Sequence, residues 1–187
     1  MAVSTSPTAP VTTLVTATTT KANGMEKTEE AFDIISRHVP NAAKVGEARM
    51  TYLFWDVYDA ELFAPNGQWS AEVPFALSLT YLRSLDGEAI AERSIEEMQK
   101  QGFNDKTKLT QWLDTMRELF PNVQDQHNLI GIQTHNGHAS FYHNQTYLGT
   151  IADAEFSKQF FAIWLNEKSS EPKLRKQLLG ASLGEQK

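Results

Sequence analysis

Apolar residues recur at helical spacing in EKTEEAFDIISRHV (26–39), where Phe32, Ile35 and Val39 share one side and Pro40 follows. The pattern predicts a helix that stops at the proline. The period then changes. Across 45–58 side chains alternate, with Arg49, Thr51, Leu53, Trp55 and Val57 on one face and Met50, Tyr52, Phe54, Asp56 and Tyr58 on the other. Both sets are bulky, which predicts one long central strand buried on both sides. Asp59 and Ala60 read as the start of its exit turn, and Pro65-Asn66-Gly67 closes the region.

A clearer strand is predicted over 73–83, with Phe75, Leu77, Leu79 and Tyr81 on one face and Ala76, Ser78 and Thr80 on the other. Asp86 and Gly102 then bracket a helix whose inner stripe is Ile90, Ala91, Ser94, Ile95 and Met98. Another helix carries Leu109, Trp112, Leu113, Met116, Leu119 and Phe120 at three–four spacing, up to Pro121. NLIGIQT, ASFYH and TYLGTI follow as short strands joined through Asn136-Gly137 and Asn144-Gln145. Asp153 reads as the cap of a helix with Phe156, Phe160, Ile163 and Trp164 inward. Ser170 reads as the cap of a last short helix, with Pro172 in its first turn and Gly180 beyond its end. This order predicts an α+β fold, a large antiparallel sheet covered on one face by helices.

Composition narrows the function. The 187 residues suit one domain, 25–187, preceded by a Thr-, Ser- and Ala-rich arm, 1–24, that reads as flexible. The arm lacks the basic start and unbroken apolar run of an export signal, so the expected location is cytoplasmic, or periplasmic if such a signal has been removed. A net charge of -6 argues against nucleic acid as a partner but leaves room for a local basic pocket and a small anion. No stretch approaches the about 18 apolar residues of a membrane span. The absence of cysteine removes thiolate catalysis, disulfides and sulfur-ligated metals.

The segments VGEARMTYLFWDVYDAELFAP, PFALSLTYLRSLDGEAIAERSIEEM, LFPNV, FYHNQTYLGTI and FFAIWL…LRKQLLG, in this order over about 39–180, resemble the chalcone isomerase family, and within it the bacterial chalcone isomerase-like branch. The resemblance implies an open-faced β-sandwich with a ligand cleft between the sheet and a helical layer. In the plant enzymes that cleft closes a flavanone ring, using an arginine and a threonine on the long strand and a tyrosine and an asparagine on the first cleft helix. Non-catalytic relatives bind fatty acids there. Placed on this chain by its Val57-Tyr58 and Gly87, the threonine slot holds Leu53, the tyrosine slot Ile90 and the asparagine slot Glu97. The arginine slot falls near 41–43, where there is no arginine. Leucine and isoleucine cannot make the required hydrogen bonds, so flavonoid cyclisation by the plant mechanism is not expected.

The same mapping turns the threonine slot toward the cleft, and with it Arg49, Thr51 and Trp55. Four residues are therefore the candidate ligand contacts: Arg49, Trp55, Tyr81 and Arg93. Arg49 could hold a carboxylate in bidentate fashion, pair with an internal acid such as Glu47 or Glu97, or sit at the exposed strand end. Tyr81 could orient a ligand or be a core tyrosine. Arg83 shares its face but sits at a strand end, where solvation is the usual fate. Arg93 and Glu97, four apart, read as a rim ion pair or an anion site. His135, His138 and His143 flank turns and have no matching carboxylate, so neither a metal nor a cofactor is expected. The expected function is non-catalytic binding of a small amphipathic or anionic, fatty-acid-like ligand. The alternatives are an isomerase or intramolecular lyase with a different polar set, and a module that engages a protein partner.

Overall fold

The computed structural model describes residues 29–180, so the arm expected over 1–24 lies outside the described residues. Six strands form one antiparallel meander in chain order: β1 (Ala42–Tyr52), β2 (Trp55–Pro65), β3 (Phe75–Tyr81), β4 (Asn128–Gln133), β5 (Ala139–His143) and β6 (Thr146–Ile151). A helix through 29–38, α1, precedes them. Helices α2 (Gly87–Lys100) and α3 (Lys106–Leu119) join β3 to β4, and α4 (Ala154–Leu165) and α5 (Pro172–Leu178) follow β6. This is the α+β antiparallel sheet with helices that the order of elements predicts, and the open-faced sandwich that the resemblance implies.

Alternation along the strands builds the core. Leu62, Phe75, Leu77, Leu79, Leu129 and Phe141 point from the sheet onto Met98, Trp112, Met116, Phe156 and Trp164 of the helices. Phe141 is the hub of an edge-to-face cluster, its ring centroid 5.1 Å from Phe120 and 5.2 Å from Phe160. On the other face of the sheet α1 lays Ile34, Ile35 and Val39 over Phe63, Ile130 and Ile132. Phe32, expected inside, is 40% exposed at the edge of this smaller cluster. Two glycines allow the layers to close. A Cβ on Gly46 would lie 2.2 Å from the Gln177 carbonyl oxygen, and one on Gly87 would lie 2.1 Å from that of Phe120. Glycine is thus what lets α5 seat on β1 and α2 start beside the exit of α3.

The predicted long strand over 45–58 is a hairpin. β1 and β2 pair from Ala42 opposite Pro65 to Tyr52 opposite Trp55, leaving Leu53 and Phe54 as a two-residue loop. Asp59 and Ala60, read as a turn, sit mid-strand opposite Arg49 and Ala48. A two-residue loop leaves the alternation of apolar residues unbroken, and this one contains neither glycine nor asparagine, so the turn carries no local signal. Leu53 takes φ 57°, a conformation such a residue seldom adopts. The Asn136-Gly137 and Asn144-Gln145 turns are where the residues place them.

The helix ends show one expected cap and two substitutes. Asp153 accepts from the Glu155 and Phe156 amides at 2.8 and 3.1 Å, and also from the Trp112 indole at 3.0 Å. Asp86 occupies the cap position of α2 without a side-chain bond. The Gly87 amide instead donates to the Asn122 side-chain oxygen at 2.9 Å. Ser170 does not cap α5, whose cap position is Glu171. Its hydroxyl donates to Glu97 at 2.6 Å, because the buried carboxylate offers the stronger acceptor.

Candidate functional site

Between the tip-proximal ends of β1–β3 and helices α2, α4 and α5 lies a cavity of about 410 Å³. Its walls are mainly apolar, formed by Leu79, Ile90, Leu129, Phe160, Trp164 and Leu174. Two tyrosines form its polar floor. Tyr58 accepts a 3.0 Å bond from the Trp164 indole, and burial, only partly offset by that bond, pushes its hydroxyl up to about 12. Tyr81 is buried edge-on to Tyr58, and its hydroxyl has no hydrogen-bond partner among the described residues. Burial and the Tyr58 neighbour raise its pKa still further.

Charge is confined to the rim. Glu97, its side chain only 5% exposed, receives Arg93 at 2.7 Å, Lys100 at 3.0 Å and the Ser170 hydroxyl. Burial by itself would raise this carboxyl. The Ser170 and Lys100 hydrogen bonds and the Arg93 charge outweigh it and hold the pKa below its ordinary value. Arg93 also reaches Glu96 at 3.3 Å, so its charge is met on two sides. Arg83 differs. It lines the same cavity, lays its guanidinium over the Trp55 ring at 5.6 Å, and has no carboxylate partner among the described residues.

Of the four expected contacts, Tyr81 and Arg93 line the cavity and Trp55 stands beyond its rim, 65% exposed. Arg49 is on the opposite face of the sheet. The hairpin sets it across from Asp59, and its guanidinium donates to Asp59 at 2.6 and 2.8 Å and to Asp56 at 3.0 Å. The Asp59 carboxylate, then Asp56, holds this guanidinium above its ordinary pKa. The expectation that Arg49 faces the cleft fails because it assumed an unbroken strand, with Leu53 in a slot facing the cleft. Leu53 instead sits in the loop at 74% exposure. The acids expected as its partners, Glu47 and Glu97, are engaged elsewhere, Glu47 with Lys44 at 2.7 Å. A second depression, about 590 Å³, lies on this outer face. Its charged groups Arg49, Asp59, Glu47 and Glu61 are already paired with each other or with Asp56 and Lys44.

Sequence reasoning undervalued Arg83. It lies two residues beyond Tyr81 in one alternating run, which already placed both on the helix-covered face. Only Trp55, brought alongside by the hairpin, shows why it turns to the cavity. Two pairs involve histidine rings: His143 meets His127 at 2.9 Å, and His38 meets the Tyr142 hydroxyl at 2.9 Å. Among the described residues no group of three or more metal-ligating side chains could hold an ion.

An antiparallel meander backed by helices, with an apolar cavity between the layers and its polar groups at floor and rim, defines a sandwich built around an internal cleft. The chain belongs to the chalcone isomerase-like family, whose model matches residues 45–180. A Haemophilus influenzae protein described only as uncharacterized is 32% identical over 139 residues, which are 73% of this chain and 67% of that one. The crystal structure of a fatty-acid binding protein from Arabidopsis thaliana shares the fold with a TM-score of 0.59. That likeness covers 75% of this chain and 88% of that one, at 11% identity.

Proposed function

We propose that this protein binds a small amphipathic ligand with an anionic head, of the fatty-acid type, in the cavity between sheet and helices, without transforming it. The observation that carries this reading is Arg83 at the rim of an apolar cavity, a cation with no carboxylate partner among the described residues, lining the same cavity as Tyr81. A carboxylate head would meet Arg83 and Tyr81 while its chain lay against Leu79, Leu129 and Phe160. The fold shared with a plant fatty-acid binding protein supports the same reading. The shifted groups on the wall support binding over proton transfer, since Tyr58 and Tyr81 move up and Glu97 down, all away from neutrality.

The test is titration of delipidated protein with a long-chain fatty acid and with its methyl ester. The acid should bind saturably and more tightly than the ester. A hydrogen bond to a charged group contributes about 1.5–3 kcal/mol, so Arg83→Met should weaken the acid by about one to two decades. Equal affinity for acid and ester, or an Arg83→Met variant that binds like the parent, would sink the proposal.

A further inference from the structure

The apex of the β1–β2 hairpin breaks the rule that large apolar side chains are covered. Tyr52, Leu53, Phe54 and Trp55 are 58, 74, 95 and 65% exposed, consecutive, and at the end of a two-stranded ribbon. A loop of this length ordinarily takes Asn-Gly, yet here a leucine at φ 57° and a phenylalanine are presented to the outside. The ribbon behind them is braced. Arg49 clamps Asp56 and Asp59, and the Thr51 hydroxyl donates to Asp56 at 2.9 Å. The apex therefore has bulk, exposure and a rigid stem together.

We infer that this apex docks on a lipid bilayer, inserting Leu53 and Phe54 between headgroups and setting the cavity mouth against the membrane, so that the ligand passes directly between bilayer and cavity. Three features select a bilayer. Continuity is the first: Tyr52 belongs to the apex and to the cavity wall, and Arg83 joins Trp55 to that wall. Composition is the second, since tyrosine and tryptophan flanking a Leu-Phe pair match the interfacial level of a bilayer. Shape is the third. Four side chains at the tip of a ribbon fall short of the about 800 Å² a side that a stable protein partner or second copy buries. No helix among the described residues is long and apolar enough to cross a membrane, and the contact is made by the apex.

Charge refines the surface. Arg49, Asp56, Asp59 and Arg83 form a collar around the apex whose two positive and two negative charges cancel. The chain as a whole carries -6. A neutral collar on an acidic protein fits a zwitterionic surface and disfavours an anionic one. The docking stands on the apex and its continuity with the cavity wall. Ligand passage rests on the proposed function.

The full chain should co-float with phosphatidylcholine vesicles, and less well when phosphatidylserine is added at low salt. The double variant Leu53→Gly/Phe54→Asn places glycine where φ is positive and gives a favoured two-residue turn, so its fold should hold by circular dichroism and its fatty-acid affinity in detergent-free buffer should be unchanged. Its partition onto vesicles should fall by about one to two decades, as expected for withdrawing two large apolar side chains from lipid. Failure of the parent to float, or equal flotation of the variant, overturns the docking. So does a concentration-dependent dimer that the double variant abolishes, because the apex would then serve a second copy. Vesicle binding by a protein that binds no fatty acid would leave the docking standing and remove the proposed function instead.

Discussion

Arg49 grips Asp59 across the β1–β2 pair with two N–H···O bonds of 2.6 and 2.8 Å, on the face of the sheet turned away from the cavity. The pair locks the stem of the hairpin and leaves ligand contact to other side chains. Arg49→Met should therefore leave fatty-acid affinity unchanged. Because the pair is half-exposed and screened by solvent, the fall in Tm should be small and should shrink further in high salt. A loss of affinity comparable to that of Arg83→Met would show that Arg49 reaches the ligand.

Tyr81→Phe separates stability from binding. The Tyr81 hydroxyl has no hydrogen-bond partner among the described residues, so deleting it removes no internal bond. The ligand-free variant should melt close to the parent, since the hydroxyl lines the cavity and its loss breaks no internal bond. Its affinity for a fatty acid should drop. A lower Tm with unchanged affinity would make Tyr81 a structural residue.

Trp164 joins the core to the cavity floor. It is 8% exposed, packs at 5.4 Å on Phe160, and donates its indole N–H to Tyr58. Trp164→Ala should cost about 3–5 kcal/mol in chemical denaturation, the range for aromatic truncations whose cavity does not collapse. Stability close to the parent's would mean that this side chain is held loosely.

His143 should make stability depend on pH. Burial, then the neighbouring His127, lowers its pKa from the ordinary 6.5. The unfolded chain therefore binds the proton more readily than the folded one below about pH 6.5, and stability falls as pH falls through that window. Above it both states are neutral and the group contributes no slope. Tm measured from pH 7.5 down to 5 should fall more steeply for the parent than for His143→Gln. Parallel curves would remove His143 as the cause.

Much of the fold was legible from local pattern. The run Phe75, Leu77, Leu79, Tyr81 predicted both the strand and its inner face, because burial on one face of a sheet enforces period two. Asp153 and the paired Asn turns were readable because a cap or a tight turn is a contact between near neighbours in the chain. The stripe Phe156, Phe160 and Trp164 identified a core-facing helix for the same reason. Where two distant segments had to meet, pattern alone did not reach. An apolar two-residue loop preserves alternation, so the reversal at Leu53-Phe54 was invisible, and with it the face on which Arg49 lies. Pairing of β1 with β2 carried Arg49 to Asp59 on the outer face and brought Trp55 to Arg83. Folding of α2 against the segment before α5 buried Glu97 beneath Arg93, Lys100 and Ser170. The choice of Arg83 over Arg49 as the open cation thus rests on which carboxylates the folded chain places within reach of each guanidinium.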